Sequence, residues 1–227
     1  MSHYVISDLH GEADRFDALL GKIEFSPEDQ LYILGDVVDR GPHGISLLLR
    51  IMEMPNVTML LGNHEFMFLQ YLSPHATQAD ILRWNRNGNQ PTLEEYADLT
   101  VSDRRRIKNF LSTLETHLEV EVGGRRFYLV HGFPGENVHD EVWCRPTPDT
   151  PNPVDGTMLI LGHTPVMYLG KTTEERAAYI AELERAGDHA RILHTPGFID
   201  LDCGCGHGLA VRSLACLRLE DLAEFYV

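Results

Sequence analysis

Cysteine is scarce: Cys144, Cys203, Cys205 and Cys216 are the only four in a chain of 227 residues. They are too few and too unevenly spaced for a disulfide framework, so the fold has to rest on a packed core. Cys203 and Cys205 form a C-x-C with no second pair, which argues for small buried residues and against a structural zinc site. This usage suits a reducing compartment, and a cytoplasmic location is expected. Positive charge is also short: 19 Lys and Arg face 34 Asp and Glu, a formal net charge of −15. That balance excludes non-specific nucleic-acid binding and an anionic membrane surface as partners. An acidic chain can still take a phosphate where metal cations sit on a cluster of its acids. Long apolar runs are missing, and no window reaches the length of a membrane span. The opening "MSHYVISDLHG" has no basic segment followed by a long apolar stretch, so no secretory leader is expected.

What is present is an ordinary globular composition, 43% hydrophobic and 23% charged. The length suits one large domain, 1–227, with no internal repeat, low-complexity run or flexible linker. Strand and helix patterns alternate at first. "HYVIS" reads as a strand, and Phe16, Leu19, Leu20 and Ile23 recur at helical spacing. "QLYIL" is the second strand, 45–52 an apolar helix, "VTMLL" the third strand, and "GNHE" opens another helix. This order predicts neighbouring parallel strands with helical crossovers. The middle, 65–114, reads as mostly helical with a break at "NGNQP". Then "LEVEVGGRRFYLV" alternates around Gly123-Gly124, the pattern of a β-hairpin. "TMLILGH", "FIDLD" and "LAVRSLACLRL" follow as further strands, with a capped helix in "TTEERAAYIAELERAGD". One domain built on two sheets is expected.

The strand ends carry the chemistry. The first ends at Asp8 and His10, the second at "GDVVDRG" with Asp36, Asp39 and Arg40, the third at "GNHE" with Asn63, His64 and Glu65. "FYLVHG" ends at His131 and "MLILGH" at His163. Sites on open α/β sheets gather beyond the carboxyl ends of strands. Five strand ends bearing ligand-type side chains are hard to attribute to solvated turns. Mixed oxygen and imidazole donors suit Mn, Fe or Zn better than Ca or Mg. Six candidate ligands are too many for one open tetrahedral metal and about right for two metals sharing a carboxylate.

Asp8-x-His10, Gly35-Asp36-x-x-Asp39-Arg40-Gly41 and Gly62-Asn63-His64-Glu65 together resemble the calcineurin-like metallophosphoesterases. The full "GDVVDRG" and "GNHE", with "VHGFP", "VWCRP" and "GHTP", are similar to the phosphoprotein phosphatase branch in its compact bacterial and phage form. The resemblance runs from Asp8 to "FIDLDCG". It implies an α/β (α+β) fold, a four-layer αββα sandwich of two mixed β-sheets flanked by helices. It also implies two divalent metal ions, Mn favoured and Fe or Zn possible. Asp8, His10 and Asp36 would hold the first ion; Asp36, Asn63, His131 and His163 would hold the second, with Asp36 bridging. The implied reaction is hydrolysis of phosphate monoesters by in-line attack of a hydroxide held between the ions. His64 would be the general acid, paired with Asp39, and Arg40 and Arg145 would clamp the phosphoryl oxygens.

Around these, Glu65 at a helix start and Thr164 after His163 are expected to orient neighbours instead of ligating. His207, in "CGCGHG", is a candidate for the substrate rim. "WNRNGNQPT" resembles a Trp-x-x-Asn-Gly-Gly-x-x-Thr pattern of bacterial relatives, with Asn89 in place of the second Gly and Trp84 expected to pack. The stretch 171–194 is longer than the compact form requires and could cover part of the cleft. The leading expectation is a phosphoserine/phosphothreonine protein phosphatase acting on a phosphorylated protein or small phosphate ester. The alternatives are symmetrical hydrolysis of diadenosine tetraphosphate, and a catalytically dead binding protein. Oligomeric state is not legible.

Overall fold

The computed structural model describes residues 1–227. Strands β1 (His3–Ile6), β2 (Gln30–Ile33) and β3 (Val57–Met59) are parallel neighbours, with Val5 opposite Tyr32 and Tyr32 opposite Thr58. Helices α1 (Ala13–Lys22) and α2 (Gly44–Met52) make the crossovers. A helical block follows: α3 (Asn63–Tyr71), α4 (Gln78–Arg86), α5 (Gln90–Ala97) and α6 (Val101–Leu111). Its break falls at 87–89, where α4 ends and α5 begins with Pro91 in its first turn. The chain then enters the hairpin of β4 (His117–Val122) and β5 (Arg125–Val130). Gly123 and Gly124 both have positive φ, 59° and 76°, as a two-residue hairpin turn requires.

After α7 (Val138–Trp143), strand β6 (Met158–Leu161) lies parallel to β5. Helix α8 (Thr173–Ala186) is capped by Thr172, whose side chain accepts from Glu175 N, and is stopped by left-handed Gly187. Four short strands finish the chain: β7 (Leu193–His194), β8 (Ile199–Asp200), β9 (Ala215–Arg218) and β10 (Glu224–Tyr226). The first sheet runs β10-β9-β1-β2-β3 and the second β4-β5-β6-β8-β7. Both mix parallel and antiparallel pairs. The architecture is therefore two mixed sheets flanked by helices.

Alternation along each strand sorts the core into layers. Tyr4 and Ile6 of β1 join Phe16, Leu19, Leu31, Leu48 and Phe68 under the helices of the first sheet. Val5 faces the other way, into a cluster between the sheets with Tyr32, Phe127, Leu129, Ile160 and Leu217. Removing a fully buried side chain such as Leu19 to Ala costs about 2–5 kcal/mol. Cys203 packs between the sheets while Cys205 and Cys216 pack in the helical layer, and none of the four cysteines is bonded to another.

Two expected strands are shorter than their sequence pattern. In "FIDLD" only Ile199 and Asp200 pair, because the Asp200 side chain takes the Asp202 N–H at 3.0 Å and turns the chain out of the ladder. In "LAVRSLACLRL" the ladder starts only at Ala215. Before it, Arg212 reaches back to the His207 carbonyl, and Val211 gives its carbonyl to Ala190. The edge strands β7 and β10 had no sequence pattern to announce them. No helix is long and apolar enough to cross a membrane.

Candidate functional site

The ends of β1 and β2, the start of α3, and the ends of β5 and β6 converge on one buried cluster. Asp8, His10, Asp36, Asp39, Asn63, His64, His131 and His163 are all at most 6% exposed. The structure brings together every expected ligand position. His10 Nε2 lies 3.9 Å from Asp8 Oδ1 and 3.6 Å from Asp36 Oδ2. His131 Nε2 lies 2.9 Å from Asn63 Oδ1 and 3.4 Å from Asp36 Oδ1. Two groups have their donor atoms within reach of one cation: Asp36 with His10 and His64, and Asp36 with His131 and His163. Asp36 belongs to both.

The imidazoles are oriented from behind. His10 Nδ1 donates to the Val38 carbonyl at 3.0 Å, and His131 Nδ1 to the Leu34 carbonyl at 3.0 Å. Each ring therefore turns Nε2 inward, the arrangement that ligating histidines need. The Nε2 atoms of His10 and His163 are buried with no hydrogen-bond partner. An orphaned buried nitrogen is costly unless something accepts its lone pair. Burial, then the Arg40 charge, holds His10 well below its usual value; burial and the charges of His131 and Arg145 do the same to His163. Both imidazoles are therefore neutral near pH 7. Burial opposes the charge on Asp36, but His131 and His64 outweigh it and hold that carboxyl well below the usual range. Burial likewise pulls His131 down, but Asp36 outweighs it and lifts the imidazole to about 9. The donor set thus fits divalent cations: two neutral lone pairs and a carboxylate aimed at the same small volume.

Beside this cluster runs a chain of hydrogen bonds. His64 Nδ1 donates to Asp39 Oδ2 at 2.6 Å, and Arg40 donates to His64 Nε2 and to His207 Nε2, each at 3.1 Å. Asp39 is held by two residues that sequence reasoning treated as packing or did not treat at all. The Trp84 indole N–H donates to Oδ2 at 2.7 Å, and the Thr92 hydroxyl to Oδ1 at 2.6 Å. Trp84 does pack, stacked on Phe68 with ring centroids 5.1 Å apart, and does both jobs at once. Its place and that of Thr92 in "WNRNGNQPT" was the available signal. Glu65 behaves as expected of a supporting group: its two oxygens accept the N–H groups of Gly62, Asp36, Val37 and Val38. Burial, reinforced by Asp36, pushes it up to about 7 against those four bonds.

His207 meets Arg40 through the hydrogen bond at Nε2, and burial and the Arg40 charge lower it to about 4. Arg145 is exposed, makes no ion pair, and borders a cleft with Thr164 at the His163 side. Asp200 and Asp202 went unremarked in the sequence, although "DLD" also ends a strand. Both are fully buried, and burial plus their mutual repulsion or that of Asp8 raises each well above the usual range. Of the other histidines, His3, His117, His189 and His194 sit against Glu220, Glu141, Asp188 and Glu224, which is a structural role.

The profile of the calcineurin-like phosphoesterases matches residues 1–201. The chain belongs to that family. Among curated relatives, a symmetrical bis(5'-nucleosyl)-tetraphosphatase of Acidovorax ebreus is 34% identical over 133 residues, 58% of this chain and 43% of the relative. One of the same name from Erwinia tasmaniensis is 41% identical over 105 residues, 45% of this chain and 34% of the relative. The chain thus spans less than half the length of these curated relatives. Among solved structures, one provisionally named a diadenosine tetraphosphatase covers 100% of this chain and 92% of its own, with TM-score 0.63 and 16% identity. A serine/threonine phosphatase of Saccharomyces cerevisiae aligns over 97% of this chain and 73% of its own, with TM-score 0.59 and 12% identity. These two share the family fold. The sequence relatives bear on the phosphoprotein phosphatase subtype expected from the motifs, since those with 34–42% identity carry a dinucleotide name.

Proposed function

We propose that the chain hydrolyses the central phosphoanhydride of bis(5'-nucleosyl) tetraphosphates, giving two nucleoside diphosphates, at a centre of two divalent ions. The observation that supports the centre is the pair of orphaned Nε2 atoms on His10 and His163, set on either side of one shared carboxylate, Asp36. The relatives support the substrate, and move the reading from the phosphoserine/phosphothreonine ester first expected to the anhydride. Asp8, His10 and Asp36 would hold one ion and Asp36, Asn63, His131 and His163 the other, with Mn favoured by the mixed oxygen and imidazole donors. When bound, such ions neutralise phosphate charge and lower the pKa of water.

The chain's own residues would do the rest. Arg40 directs its donors to the Nε2 atoms of His64 and His207, and a phosphoryl oxygen is the better acceptor for a guanidinium. Substrate would therefore draw Arg40 away and free His64 Nε2 to face the leaving oxygen. Asp39 accepts from His64 Nδ1 and so fixes the orientation of the ring that would serve as the acid. Water supplies the oxygen that ends on one β-phosphorus; the central bridging oxygen leaves with the other nucleoside diphosphate.

The test loads the protein with Mn²⁺ and compares diadenosine tetraphosphate with phosphoserine and phosphotyrosine peptides. ADP as the sole nucleotide product, with kcat/KM well above that of either peptide, is the expected result. AMP plus ATP, or a preference for the phosphoserine peptide, would overturn the substrate reading.

A further inference from the structure

Next to His163 the surface opens into a cleft of about 270 Å3 bordered by Arg145, Thr164, Tyr168, Lys171 and Arg176. It adjoins the site just described. Thr164 directly follows His163, and the Tyr168 ring meets His207 edge-on at 5.6 Å, the same His207 that holds Arg40. Anions are short here: none of Arg145, Lys171 and Arg176 has a carboxylate within ion-pair distance, in a chain with net charge −15.

The free donors can be counted. Arg176 uses Nε on the Lys171 carbonyl at 3.1 Å and lays its guanidinium over the Tyr168 ring at 5.1 Å, leaving both terminal nitrogens without a protein partner. Lys171 gives one proton to the Val166 carbonyl at 3.0 Å and lies over the Tyr179 ring at 5.2 Å, with no carboxylate as partner. Arg145 makes no protein hydrogen bond, and its charge is felt at both His163 and His207. One further atom points to a ligand. Thr164 lines the cleft at 4% exposure, and its hydroxyl is buried without a hydrogen-bond partner. A hydroxyl left so pays for its desolvation unless an acceptor or donor reaches it.

From this geometry we infer that the cleft is a second anion subsite, formed by Lys171 and Arg176 at the start of the 171–194 segment with Arg145 on the border towards the attacked phosphate, for the phosphates adjoining that one in a nucleoside polyphosphate chain. This rests on the anhydride reading above and deepens it. Guanidinium groups held by stacking match phosphate oxygens with little ordering cost. A phosphomonoester has no second phosphate to place there. Tyr179, Ile180 and Leu183 pack α8 on the inter-sheet core, and the Tyr179 ring supports the Lys171 ammonium at the cleft edge.

The experiment uses p-nitrophenyl phosphate turnover by the Mn²⁺-loaded full chain, with orthophosphate, ADP and inorganic tripolyphosphate as competing inhibitors. Wild type should bind ADP and tripolyphosphate at least about tenfold more tightly than orthophosphate, the gain expected of one or more charge-assisted hydrogen bonds. Arg176→Ala and Lys171→Ala should each raise the ADP and tripolyphosphate inhibition constants severalfold and the pair by about tenfold, with the orthophosphate constant within twofold. Arg176→Lys should recover part of the loss. Equal inhibition by orthophosphate and tripolyphosphate in wild type, or variants that shift all three inhibitors alike, would overturn the subsite. Because these readouts need no dinucleotide turnover, they stand apart from the test of the main reading. A protein that fails to cleave diadenosine tetraphosphate yet discriminates tripolyphosphate keeps the subsite and loses the substrate.

Discussion

Trp84→Phe separates the two jobs of one buried side chain. The benzyl ring retains most of the stacking on Phe68, but Asp39 Oδ2 loses the indole donor at 2.7 Å. A hydrogen bond to a charged group is worth about 1.5–3 kcal/mol, and the space left by the smaller ring adds roughly 1 kcal/mol. A total near 2.5–4 kcal/mol predicts a fall in Tm of roughly 5–16 °C for a domain of this size. That alone would be shared by any core truncation. The specific expectation concerns His64, whose Nδ1 rests on the same Oδ2. With Asp39 freed on one side, His64 should lose its fixed orientation, and hydrolysis needing a protonated leaving group should drop about 10–100-fold, as when an orienting partner is removed. Turnover of p-nitrophenyl phosphate, whose leaving group needs little protonation, should fall much less. Phe68→Leu is the control, since it loosens the same cluster without touching Asp39. Steady-state kinetics on an alkyl phosphate and p-nitrophenyl phosphate, beside thermal melts, decide the matter. If the two variants change both substrates in the same ratio, Trp84 is core alone and the orienting role is refuted.

His64→Gln should cost about 10²–10⁴-fold on an alkyl phosphate and far less on p-nitrophenyl phosphate; equal losses in the two rates would remove His64 from the acid role. Divalent-ion affinity should strengthen with pH, because Asp36 raises His131 to about 9 and a cation taken by Nε2 displaces that proton. The gain is about tenfold per unit below pH 9 and stops above it, whereas His10 and His163 are already neutral and add no slope; titration calorimetry in buffers of different ionisation heat reads the released proton. Gly62→Ala would place a Cβ 2.3 Å from Asp36 Oδ1 and 2.4 Å from Asp36 N, so it should abolish Mn²⁺-induced stabilisation in thermal melts.

The site was legible because its donors sit at strand ends, where chain direction alone predicts convergence. Asp8 with His10, Asp36, His131 and His163 are each reached by reading an apolar run to its polar end. Asp39 and His64 were legible for the same reason. Their support was not: Trp84 and Thr92 meet Asp39 across 45 and 53 residues, and nothing in their neighbourhood encodes that distance. Lys171 and Arg176 pose the same difficulty. Arg176 reads as part of the opening turn of a capped helix and Lys171 precedes its cap, and only the packing of Tyr168 between Arg176 and His207 carries them to the site. Strand length failed where a side chain outcompeted the ladder, as Asp200 does by taking the Asp202 N–H. Thus hydrophobic alternation located the strands better than it placed their ends, too early at the start of β9 and too late at the end of β8.

The glycines of the motifs complete the account of why this pattern is so compact. Asp8, His10, Asp36, Asp39, Arg40 and His163 are six of the eight non-glycine residues with positive φ in the chain. Each costs about 1 kcal/mol or more in backbone strain, so something must hold the loops in place. The loops hold each other: His10 N bonds Asp36 O at 2.8 Å, Gly41 N bonds His10 O at 3.0 Å, and Arg40 N bonds Gly88 O at 2.9 Å. Such contacts need backbones nearly touching. A Cβ on Gly41 would lie 2.2 Å from the His10 carbonyl oxygen, and one on Gly35 only 2.4 Å from Gly62 N. The glycines in "GDVVDRG" and "GNHE" therefore carry geometry where the acids and histidines carry chemistry. Substituting either set should disable the centre, but by different routes. Loss of a ligand leaves the loops packed with a donor missing, whereas loss of a glycine leaves every donor present and out of position. Metal affinity falls in both cases, and the glycine variants should also lower the melting temperature of the chain before any metal is added.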